Sequence, residues 1–112
     1  MKKDPKIFLE HILESIEIIE NHTKAVSKEK LFRNIIIQDA VIRRIEIIGE
    51  AVKNLPPDYK RKHPEIEWRE IIGMRNKLIH EYFGVNLNVV WRTINKDIPQ
   101  LKKQVSKLLE EF

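Results

Sequence analysis

The stretch Ile71–Gly84, IIGMRNKLIHEYFG, decides how the rest of the chain is read. At about 100° per residue, Leu78, Tyr82, Arg75, Ile79, Phe83, Asn76 and His80 share one broad arc of a helix, and Lys77 and Glu81 fall opposite. A helix built only for packing fills such an arc with Leu, Ile and Val. This one sets Arg75 in the middle and Asn76 and His80 along one edge. An arginine is rarely buried without a partner. The arc therefore either faces a second chain across a polar cleft or carries polar groups neutralised by neighbours within the core. The cleft is the expectation carried forward.

Working outward, Gly84 stops this helix, which begins around Glu65 to Trp68 and ends at Phe83. Trp68, Arg75 and Tyr82 are seven apart, so they share a stripe on which an aromatic floor would lie beside a guanidinium. Upstream, residues 55–67 carry prolines and the basic trio Lys60, Arg61 and Lys62, which reads as a loop that either touches phosphates or is simply solvated. Before it runs the longest predicted helix, Lys28 to Asn54, capped by Ser27 and stopped by Pro56 and Pro57. Asp39, Arg43, Glu46, Glu50 and Lys53 form its narrow polar stripe and apolar residues cover most of the rest, so it must be buried on more than one side. Arg44 falls inside that apolar territory, where a dimer seam would hold it or its stem would lie along apolar surface with the head in water. Gly49, beside Ala51, suggests close approach of another helix.

Asp4 and Pro5 read as the cap and first residue of a helix ending near His22, with His11 and His22 at its surface and without an assigned role. After Asn86, Val89, Val90 and Ile94 mark a short helix with Trp91 nearby, and Asp97 with Pro99 restarts it for Leu101, Val105, Leu108 and Leu109. No strand pattern or repeat is present. The expected fold is a single all-α domain over residues 1–112, an antiparallel four-helix bundle with a kinked or extra C-terminal helix near Pro99.

Composition agrees with that outline. The 42% hydrophobic and 34% charged residues suit an amphipathic helical domain and exclude a disordered chain. No apolar run approaches the ~18 residues of a membrane span and no signal-peptide core follows the N-terminal lysines, so a cytoplasmic location is expected. There is no cysteine, and the histidines at 11, 22, 63 and 80 lack the spacing of a helical metal site, so neither metal nor cofactor is expected. A net charge of +4 and a pI near 9.4 point to an acidic partner, RNA or DNA first. The same charges suit a solvated helix surface or a heat-adapted protein.

Arg75, Asn76, His80 and Tyr82 form R-N-x-x-x-H-x-Y, and with this motif the chain resembles the HepT toxins of the HEPN superfamily. The I-G-E-A run at Ile48 to Ala51, the H-P-E-I stretch before Trp68, the Y-F-G-V segment and Trp91 extend the resemblance, in order, over nearly the whole chain. Glu67 stands where a proline is expected before the tryptophan, and Asn86 where an aspartate is common. The resemblance implies a HEPN-like bundle acting as a homodimeric, metal-independent endoribonuclease, inhibited by a cognate MNT-type nucleotidyltransferase antitoxin. It further implies that the antitoxin transfers AMP groups to Tyr82.

The chemistry of the motif is compatible with that implication. Metal-free RNA cleavage needs a base for the 2′-hydroxyl, an acid for the 5′-oxygen and donors for the phosphorane. His80 suits the acid or base, Arg75 the phosphate, and Asn76 can orient either the imidazole or the phosphate. With one such histidine per chain, a symmetric pair of His80 residues across a two-fold axis would supply both proton transfers. The alternative is that Arg75 and His80 are structural, paired with Glu46 or Glu50, in a non-catalytic module that docks a nucleotide or a nucleotidyltransferase. A DNA-binding regulator is the third reading, on basicity alone.

Overall fold

The computed structural model describes residues 4–80 and 84–112, the side chains of Ile79 and His80 excepted. Helix α1, Pro5–Thr23, starts where Asp4 accepts the amide of Lys6 at 3.0 Å ahead of Pro5. Its Leu9, Ile12, Ile16 and Ile19 recur at helical spacing and are essentially fully buried.

The single long helix expected from Lys28 to Asn54 is instead two, α2 over Lys28–Arg33 and α3 over Ile35–Asn54. Asn34 breaks it: its backbone is extended, its side chain accepts the amide of Ile37 at 3.1 Å, and Gln38 Nε2 donates back across the joint to the Leu31 carbonyl at 2.8 Å. A short polar side chain that satisfies a free amide at a helix start competes with continuation of the helix, and here it wins.

The expected loop after α3 also needs correction, because Pro57–Lys62 forms a short helix, α4, with Pro57 in its first turn. Of the basic trio, Lys60 is spent inside the fold, while Arg61 and Lys62 are exposed. Lys60 Nζ donates to the Val52 carbonyl at 3.1 Å, Arg61 pairs with Asp58, and burial pushes the Lys60 amine below its usual value. Lysine thus adds a second donor to a carbonyl in the last turn of α3, which the Leu55 amide also reaches.

Helix α5 is described over Trp68–His80, and its predicted end at Phe83 lies outside the described residues. Helix α6, Leu87–Arg92, is followed by a π turn at Thr93–Asp97 and then by α7, Ile98–Glu110. The predicted discontinuity near Pro99 therefore appears upstream as a widened turn, with the Ile98 amide donating to the Thr93 carbonyl. Pro99 has no amide for the ordinary helical bond and its ring crowds the carbonyl four residues back, so the helix changes pitch before reaching it.

Four main helices make the bundle: α3 packs between α1 and α5, and α7 lies along α1. All are helical, and no strand occurs among the described residues. Trp68 belongs to the core, only 7% exposed, with its indole N–H donating to the His63 carbonyl at 3.0 Å. It is not the open floor of a seam. None of the described helices is long and apolar enough to cross a membrane.

Candidate functional site

Arg75 is held where α5 crosses α3, and Gly49 makes the crossing possible. A Cβ on Gly49 would collide with Arg75 Cβ and lie 2.6 Å from its Cγ, so the arginine stem occupies the space that any other residue would need. Beyond the stem the guanidinium is fixed twice: one terminal nitrogen lies 2.8 Å from Glu50 Oε2, and the other donates to Asn76 Oδ1 at 3.0 Å. Its Nε is buried without a hydrogen-bond partner among the described residues. An unpaired charged donor in a shielded position is costly, and an anionic ligand that draws on the guanidinium offsets part of that cost.

The side chain is 24% exposed and borders a cleft of about 410 Å³ between α1, α3 and α5. Phe8 and His11 line it from α1, and Arg43, Glu46 and Glu50 line it from α3. Sequence reasoning left His11 without a role. Its signal was available, because Phe8 and His11 are three apart on α1 and face the same way, but only the packing of α1 against α3 brings them to Arg75.

Asn76 is exposed and its Oδ1 accepts from Arg75, which orients the guanidinium; the two roles expected for it involve the His80 side chain, outside the described residues, and the RNA phosphate. His80 is the last described residue of α5, one turn beyond Asn76, and its side chain lies outside the described residues. Tyr82 also lies outside them. Arg44 is half-buried, has no carboxylate within ion-pair distance among the described residues, and does not line the Arg75 cleft.

On the other flank of α5, a second cleft of about 350 Å³ opens toward the π turn and α7. Glu67, Glu70 and Asp97 line it together with Arg92 and Lys96. The side-chain hydrogen bond between Glu70 and Glu67, and then their mutual repulsion, push the Glu70 carboxyl above its ordinary value. Among the described residues no group of three His, Asp or Glu could hold a metal ion.

An all-α bundle with an arginine strapped over a glycine, beside a cleft of mixed charge, defines a small helical domain with an anion-competent site on α5. A family profile described as "Ribonuclease HepT-like" matches residues 12–108, and the chain belongs to that family. A protein of Thermococcus cleftensis provisionally named ribonuclease HepT is 53% identical over 96% of this chain and 98% of its own length. A provisionally named RNase of Caldanaerobacter subterraneus subsp. tengcongensis is 49% identical over 97% of both chains. A protein of Methanocaldococcus jannaschii, named as a gamma-glutamylcyclotransferase and, provisionally, an RNase, is 53% identical over the whole of this chain, which spans half of that protein's length. No solved structure matches significantly.

Proposed function

We propose that this protein is a metal-independent endoribonuclease, the toxin of a HepT/MNT toxin–antitoxin pair, cleaving RNA with Arg75 and His80 at a cleft shared by two copies. The observation that carries the proposal is Arg75, fixed by Glu50 and Asn76 over Gly49 at the mouth of a cleft, in a chain of the ribonuclease HepT-like family. A guanidinium oriented before substrate arrives loses little freedom on binding phosphate, which is how arginine stabilises a developing phosphorane.

In the reaction, one His80 takes the proton of the 2′-hydroxyl as its oxygen attacks phosphorus. The bond from phosphorus to the 5′-oxygen breaks, and the His80 of a second copy protonates that oxygen. The products are a 2′,3′-cyclic phosphate and a 5′-hydroxyl, with Arg75 bearing the added negative charge between them. The cognate nucleotidyltransferase silences the toxin by transferring AMP to Tyr82, whose added phosphate competes for the guanidinium that holds RNA.

The test is cleavage of single-stranded RNA by the purified chain with a chelator present. Activity lost in His80→Ala supports the proposal; activity unchanged in that variant, or dependent on a divalent ion, overturns it. Incubation with the cognate nucleotidyltransferase and ATP should add the mass of one or more AMP groups, and the gain should vanish in Tyr82→Phe. One observation favours the second reading, a non-catalytic binding module: Arg75 does pair with Glu50, as a purely structural arginine would. Absence of cleavage with retained binding of the nucleotidyltransferase selects it.

A further inference from the structure

The Arg75 cleft contains more than a phosphate site requires. Phe8 and His11 stand three apart on α1 and present two rings to it, while α3 presents Arg43 and Glu46, also three apart, from the facing side. Arg43 and Glu46 form a loose ion pair, 3.7 Å from Nη1 to Oε2 and longer than a hydrogen bond, which a ligand carrying an acceptor beside two donors can replace with a hydrogen bond to each. Glu50, by contrast, is committed to Arg75. The cleft's volume of about 410 Å³ lies within the ~300–1,000 Å³ typical of small-ligand sites.

We infer that this cleft is a subsite for one base of single-stranded RNA, and that the preferred base is guanine. The inference rests on the ribonuclease reading for its substrate class and deepens it. Proteins read unpaired RNA bases by stacking them on aromatic rings and bonding their Watson–Crick edges. Phe8 and His11 provide the rings. Glu46 offers two acceptor oxygens and no donor, and guanine alone among the four bases presents two adjacent donors, N1–H and N2–H, on that edge. Its neighbouring O6 is an acceptor and meets the Arg43 guanidinium, the usual partner for that atom. Adenine, cytosine and uracil each offer Glu46 fewer donors. Arg75, on the α5 side of the same cleft, then lies where the phosphate attached to the bound nucleotide leaves it.

The experiment titrates the full chain with GMP, AMP, CMP and UMP, following the ring signals of His11 and Phe8 by NMR, and maps cleavage sites in a defined single-stranded RNA. GMP should shift both rings and bind about tenfold more tightly than UMP, the ratio that one additional hydrogen bond to a charged acceptor produces. In Glu46→Gln, which replaces one acceptor oxygen by a donor, the GMP-to-UMP ratio should collapse to within about twofold. His11→Ala, at an exposed position that the fold does not need, should weaken all four nucleotides by about tenfold through lost stacking. Cuts should cluster beside guanines. Equal binding of GMP and UMP, a preference that survives Glu46→Gln, or ring signals that do not move would each overturn the subsite. A chain that binds GMP in this way but cuts no RNA refutes the ribonuclease reading and leaves the subsite standing. Cleavage without base preference and without GMP binding does the reverse.

Discussion

Helix α3 has two seams, and they are built on different principles. Against α1 it packs most extensively, and Leu9, Ile12, Ile16 and Ile19 of α1 are all but completely buried. Against α5 it presents Gly49 to the stem of an arginine, and clefts open on both flanks of the crossing. Along that buried row dense aliphatic packing leaves no room for a ligand, and the Arg75 cleft opens only beyond it, at the edge where Phe8 and His11 face Arg43 and Glu46. The α5 seam gives up that density, and Arg75 stands there, held by Glu50 and Asn76. The candidate site therefore lies where packing is interrupted rather than where it is strongest.

The sharpest way to test this contrast is to damage each seam in turn. Ile16→Ala, in the closed seam, should destabilise the fold by about 3 kcal/mol, read from the urea midpoint, because the cavity left in a rigid core adds to the lost burial. Gly49→Ala in the open seam should cost about 2 kcal/mol, since the new methyl meets the Cβ and Cγ of Arg75 close to the α5 backbone and α5 must move. If Gly49→Ala instead stabilised the protein, as helix propensity alone would have it, the close crossing would be refuted.

Arg75→Met sharpens the comparison without changing shape. It keeps an unbranched stem over Gly49 and removes both the guanidinium and its unpartnered Nε, so thermal stability should change by less than about 1 kcal/mol. RNA cleavage should fall by at least about a hundredfold, the usual consequence of losing one donor to a developing oxyanion. A large loss of stability would mean that the arginine serves the fold first.

The smallest effect concerns the other flank of α5. The Glu70 carboxyl is raised in the folded protein above its ordinary value of 4.5, by its hydrogen bond to Glu67 and then by repulsion from it. The folded state thus holds the proton more tightly than the unfolded chain. The associated stability is fully present below about pH 4.5 and is lost as pH rises through the higher folded value. Glu70→Gln should remove this dependence, so the difference in urea midpoint between wild type and variant should change between pH 4 and pH 7, in favour of the variant at neutral pH. A difference that stays constant across that range would separate Glu70 from Glu67.

How much of this was legible depended on range along the chain. Apolar periodicity located α1, α5 and α7, because spacing at 3.6 residues is a local property. It passed over the break at Asn34, where a single side-chain oxygen outweighs a long run of isoleucines, although Asn followed by an apolar run is itself a capping signal. It also took Pro57–Lys62 for a loop, since six residues hold too few turns to show a period. Gly49 was read as a point of close approach, and the helix that approaches is α5. Trp68 was placed on the functional stripe by its heptad spacing from Arg75, yet its ring is buried and tied to the His63 carbonyl. Spacing fixes a direction around the helix and says nothing of what stands opposite.

By itself the sequence determined an all-α chain, a helix with Arg75 on its inner arc, and membership of a recognisable family through a motif that is contiguous in sequence. Only the tertiary structure decided that Arg75 lies over Gly49 and against Glu50, and that Phe8, His11, Arg43 and Glu46 share its cleft. The physical reason is the same throughout. Helix and cap formation depend on neighbours within about four residues, whereas a cleft is the space left when distant helices cross, and the crossing depends on which pair of surfaces can come closest.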